Sequence, residues 1–132
     1  MSFKTLLPPG WGRPSGYSNG ILTRGQLLFV AGQIGWEADH RVTTSDLADQ
    51  VKQALQNIVA ILKEGGAKPE HLVRLTWYVT DKQEYLAAAK RIGEVYREVI
   101  GTHYPAMSLL EVKDLLEDGA KVEIEATAVI PD

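Results

Sequence analysis

Cysteine is absent from the 132-residue chain, which excludes disulfides, a thiol nucleophile and any thiolate-held metal. No apolar stretch approaches the roughly 20 residues that a helix needs to cross a bilayer. Met1-Ser2-Phe3-Lys4 lacks the apolar core of a secretory signal, so a cytoplasmic setting is expected. Basic runs are missing as well: 14 Lys and Arg are scattered among 17 Asp and Glu, for a net charge of -3. Phosphate-driven binding needs clustered cations, so neither nucleic acid nor a membrane is expected as a partner. His40, His71 and His103 fall in separate loops or turns without ligand spacing, and no metal site is expected.

What remains is the composition of an ordinary globular protein, 45% hydrophobic and 23% charged. The length suits one domain over residues 1–132 and is too short for two. Residues 1–16 carry Pro8-Pro9-Gly10, Gly12, Pro14 and Gly16 and read as an irregular arm. Two apolar runs follow, Ser18 to Thr23 and Gln26 to Ile34, and Arg24-Gly25 between them predicts a tight hairpin. From Leu47 the period changes. Leu47, Val51, Ala54, Leu55, Ile58, Ile61 and Leu62 share one helical face, with Asp46 as cap and Gly65-Gly66 as stop.

Val73 to Thr80 alternates as a strand. Asp81 to Glu84 then reads as a capping box opening a second helix, striped by Leu86, Ala89, Ile92, Tyr96 and Ile100. Strands near Ala106–Val112 and Val122–Ile130 complete the order β-β-α-β-α-β-β. This is an α+β domain with two helices on one face of a mixed sheet. Yet Leu27 to Ile34 is apolar on both sides, as is most of Ser108 to Val112. Strands of that kind expect cover on both faces. A second subunit is the natural source of the second layer, in a closed homo-oligomer.

Six segments, in this order and spacing, resemble the reactive-intermediate deaminase (RidA/YjgF-like) family. They are Gly16-Tyr17-Ser18-Asn19-Gly20, Phe29 to Ile34, Gln53 to Ile58, Thr76 to Asp81, Tyr104-Pro105-Ala106 and Val122 to Ala126. The resemblance implies a chorismate-mutase-like fold, assembled as a homotrimer whose sheets pack into a central barrel. It also implies three inter-subunit clefts that hydrolyse reactive imines and enamines, without metal or cofactor.

By the same resemblance, Tyr17 corresponds to a tyrosine of the arm that closes the cleft. Gly32 corresponds to a glycine whose backbone approaches the ligand, as a Gly inside a strand often does. Glu123 corresponds to a glutamate that positions water or moves protons. On the alternating strand both Glu123 and Glu125 point away from the helices, where a covered carboxylate needs a partner; Arg74 across the sheet is one candidate.

Two cleft positions depart from the family pattern. Met107 stands where the deaminases carry an arginine that forks onto the substrate carboxylate, a contact no thioether makes. Gly93 stands where many have an asparagine. The expected substrate is therefore an imine or enamine other than a free amino-acid-derived one. A non-catalytic small-molecule binder or sensor of the same fold is the alternative. Arg13, Arg24, Arg74 and Lys113 are candidate substitutes for the missing cation, Arg13 first because it neighbours Tyr17. Trp77 is expected in the core, and Trp11 and Trp36 either line an enlarged apolar pocket or cover an edge.

Overall fold

The computed structural model describes residues 3–132. Its main sheet has four strands: β3 (Gln26–Ile34), β4 (Leu72–Val79), β5 (Ala106–Glu111) and β6 (Val122–Ile130). A short two-stranded sheet pairs β1 (Lys4–Leu6) with β2 (Gly20–Leu22). The helices are α1 (Leu47–Glu64), α2 (Lys82–Ala87) and α3 (Ala89–Val99). The main sheet runs in the order β3-β6-β4-β5, antiparallel except for the parallel pair β4 and β5, which α2 and α3 connect.

The helices cover one face of this sheet, as the periodicity predicts. Leu55, Ile58 and Leu62 of α1 meet Leu72 and Leu75 of β4, Val95 of α3, and Val122 and Ile124 of β6, all fully buried. Each such side chain contributes about 1.5–3 kcal/mol of transfer free energy. Asp46 caps α1 by accepting from the Asp49 amide at 2.9 Å. Gly66, at φ +80, takes the left-handed turn that ends the helix. Gln50 is the buried polar residue among these apolar ones. Its Nε2 donates to the carbonyls of Thr44 and Gly119, both at 2.9 Å, and its Oε1 accepts from the Lys121 amide at 2.9 Å. One side chain thus ties two loops to α1.

Four local expectations are corrected. The Arg24-Gly25 hairpin does not form: β2 pairs with β1, and β3 pairs with β6. The arm is accordingly not wholly irregular, since Lys4–Leu6 lies against Gly20–Leu22. The second helix breaks at Ala88, so Leu86 is left 53% exposed while Tyr85 turns inward; Ile61, on the edge of the α1 stripe, is also exposed. Only half of the capping box exists. Asp81 accepts from the Glu84 amide at 3.1 Å, but Glu84 reaches Lys121 at 2.8 Å instead of turning back.

The opposite face of the sheet is open on the single chain. Leu27 and Phe29 are 59% and 74% exposed, and Leu110 is 46% exposed. Among the described residues no helix is long and apolar enough to cross a membrane.

Candidate functional site

The five residues singled out in the sequence fall in two places, one on each side of the sheet. The first is a groove of about 410 Å³ between the arm, the edge strand β5 and α3. Tyr17, Gly93 and Met107 all line it. Ser18 sets its mouth: its amide donates to the Pro105 carbonyl at 3.0 Å and its hydroxyl to the Tyr104 carbonyl at 2.6 Å. The arm is thereby laid along the start of β5, with Tyr17 beside the groove and 41% exposed.

The floor is apolar. Met107 and Leu109 are the register partners of Leu75 and Trp77 on β4, and so face the helices. Trp77 is 3% exposed and core, as expected, but its indole Nε1 has no hydrogen-bond partner among the described residues. At the far wall Tyr96 stacks on Tyr104 with ring centres 5.3 Å apart, and its hydroxyl donates to the His103 carbonyl at 2.6 Å. Burial pushes the Tyr96 phenol far above its usual range, with the neighbouring Tyr104 adding to the shift. It is a fixed neutral donor.

The second place lies on the open face. Between Val30 and Gln33, β3 carries one more residue than β6 carries between Ala126 and Ile124, a bulge holding Ala31 and Gly32. Here the Glu123 side chain packs against the Gly32 backbone so closely that any Cβ would collide with it. The bulge re-aims the strand toward this carboxylate. Next to it, Tyr78 donates to Glu125 at 2.8 Å. That hydrogen bond, together with the carboxylate charges of Glu125 and Glu123, raises the Tyr78 phenol. Glu125 is therefore bound to Tyr78 rather than to Arg74. Gly32 and Glu123 meet each other, but within one chain neither reaches the groove.

The sequence comparison decides the family. Residues 13–130 match the family described as endoribonuclease L-PSP. The chain belongs to this family, whose relatives include the RidA/YjgF-like deaminases. A RutC family protein of Pyrococcus abyssi is 33% identical over 117 residues, covering 88% of each chain. The human 2-iminobutanoate/2-iminopropanoate deaminase is 28% identical over 114 residues, covering 86% of this chain and 79% of its own. Among solved structures, a Rid-family protein of Yersinia pestis superposes with a TM-score of 0.87 at 30% identity, over 98% of this chain and 100% of that one. The α+β fold and the relation to imine deaminases read from the sequence are thus those of the family.

The cation candidates fare differently. Arg13 lines a small recess with Leu6 and Leu7, Arg24 pairs with Asp132 at 3.1 Å, and Arg74 lies on the open face beside Phe29. Neither these three nor Lys113 lines the groove; Arg97, which the sequence reading passed over, does. Its one sequence signal was the helical spacing from Gly93. Trp36 stacks on His40 at 4.3 Å, and neither it nor Trp11 lines the groove.

Proposed function

We propose that the chain is a hydrolytic deaminase of reactive imines and enamines, acting without a cofactor in clefts between the subunits of a homotrimer. The pairing of Glu123 with Gly32 carries this reading. The carboxylate is seated against bare backbone on a strand bulge and borders an opening of about 290 Å³ beside Tyr78 and Glu125. It also lies on the sheet face whose apolar residues a second subunit would cover. In the assembly, one subunit contributes the groove with Tyr17, Gly93 and Met107, and its neighbour contributes Gly32 and Glu123.

The chemistry asks little of the protein. Glu123 takes a proton from water as the water oxygen bonds to the protonated imine carbon, and the C=N π pair moves to nitrogen. Glu123 then returns that proton to nitrogen, and the C–N bond breaks as the hydroxyl oxygen forms the C=O bond and gives its own proton to the Glu123 carboxylate, so that a carbonyl compound and ammonia leave. An enamine first takes a proton at its β-carbon. The name of the human relative, an iminobutanoate and iminopropanoate deaminase, supports the reaction class. Met107, a thioether, narrows the substrate to one without a carboxylate seated at that strand position.

Ammonia release from enzymatically generated imines tests the reading, with 2-aminoacrylate and a carboxylate-free analogue in the panel. Turnover of the analogue that disappears in Glu123→Gln supports it. Silence across the panel, Met107→Arg included, would leave a non-catalytic small-molecule binder of the same fold.

A further inference from the structure

We propose that Arg97 is the anion anchor of the groove, and that its ligand carries a carboxylate or similar acid set apart from the reacting carbon. This deepens the deaminase reading and rests on it only for the reacting atoms; the anchor itself is a binding property.

Position comes first. Arg97 follows Gly93 by four residues on α3, and long helical side chains lean back toward the N-terminus over the preceding turn. A Cβ built on Gly93 would have the Arg97 Nη1 at 3.4 Å and nothing else within 4 Å. The guanidinium therefore lies back over the glycine, on the groove wall. A side chain at position 93 would crowd it, so the small residue and the cation act together.

The charge is also uncommitted. Among the described residues Arg97 makes no ion pair. The acids nearest to it in sequence are engaged elsewhere: Glu94 with Arg91 at 3.9 Å, and Glu98 with Lys52 at 3.0 Å. Arg97 is the one charged residue of the lining, and no carboxylate faces it there. The other polar side chains on the walls include the hydroxyl-bearing Ser15 and Tyr17. A guanidinium with hydroxyl neighbours suits a carboxylate, which it can grip with two parallel N–H donors.

Geometry then specifies the ligand. The cation sits on the helix wall, whereas the sheet floor beneath it presents Met107 and Leu109. An acid held by Arg97 leaves apolar atoms to lie on that floor. At about 410 Å³ the groove falls in the size range of pockets for extended ligands, well above the need of a three-carbon acid. Relative to the arginine-bearing deaminases that the sequence resembles, the anchoring charge has moved from the strand to the helix. The acid of the substrate moves with it, onto a side arm.

The test uses phenylacetate and its uncharged amide, phenylacetamide, titrated by isothermal calorimetry into the full-length protein. The wild type is expected to bind the carboxylate at least about tenfold more tightly than the amide, the range of a charge-assisted pair. Arg97→Gln should erase that preference while Arg97→Lys retains part of it. Arg97 is exposed, so neither variant threatens folding. Absence of a carboxylate preference in the wild type, or its survival in Arg97→Gln, overturns the proposal. Glu123→Gln separates the two readings, since it should abolish turnover and leave phenylacetate binding intact. Arg97-dependent binding without turnover of any imine would retain the anchor and discard the deaminase.

Discussion

The side chain of Glu123 lies against the backbone of Gly32, which has no Cβ to keep it away. The obstacle to a larger residue is thus the far end of a flexible side chain, not backbone. Gly32→Ala is expected to fold with stability changed by less than about 1 kcal/mol while turning the carboxylate aside. A misplacement of about 1 Å costs on the order of a hundredfold in turnover. Gly35→Ala is the contrast, because its Cβ would meet the Gln50 Cα of α1 at 2.7 Å. That is backbone, and overpacking of this kind costs roughly 1–3 kcal/mol. Urea denaturation and ammonia release, measured on both variants, separate the two effects.

Gln50→Leu removes three hydrogen bonds from a fully buried position and strands the Thr44 and Gly119 carbonyls and the Lys121 amide. The loss is expected to be about 2–4 kcal/mol, since each abandoned buried group carries its own desolvation cost. A lower urea midpoint at unchanged slope is the signature.

Ser18→Ala keeps the amide bond to Pro105 but loses the hydroxyl bond to Tyr104. The arm is then held less firmly, at a cost of about 1 kcal/mol. Because the arm carries Tyr17 to the groove rather than supplying the acid, KM should rise severalfold with kcat little changed. An equal fall in kcat would instead assign the arm to the chemical step.

Tyr96 sets an alkaline limit. Burial holds its folded-state pKa above that of a free phenol, so the unfolded chain releases this proton first as pH rises. Its stabilising contribution is complete below pH 10 and is lost progressively above it. Tyr96→Phe should be less stable near neutrality by about 1 kcal/mol, for the lost bond to His103. Its stability should also fall less steeply with alkali. Thermal melts between neutral and alkaline pH measure both.

What the sequence made legible follows from the range of the forces involved. β6 was readable to the residue because alternation is local: Val122, Ile124 and Ala126 are buried while Glu123 and Glu125 face outward. The same local signal misled at Arg24-Gly25, where a turn dipeptide suggested a hairpin. The partner of β3 is chosen instead by Val129, Ala128 and Ala126, about a hundred residues downstream. The break at Ala88 has neither Gly nor Pro to announce it. Glu123 and Gly32 were named separately, but their contact depends on a bulge that no periodicity encodes. Gly93 was noticed as a departure from a pattern. Its meaning lay four residues further on, in a side chain that folds back.

The position of β6 has a consequence for the order in which the sheet assembles. This strand lies between β3 and β4, yet it is the last of the sheet to be synthesised. Until it leaves the ribosome, β3 has no partner in the sheet, and the parallel pair β4–β5 must wait with one edge bare. Nucleation on early segments is thereby disfavoured, because nearly all strand pairing spans long stretches of chain, the topology that folds slowly. The nascent protein therefore spends its synthesis with the backbone edge of β3 unpaired, and chaperone dependence should track elongation rate.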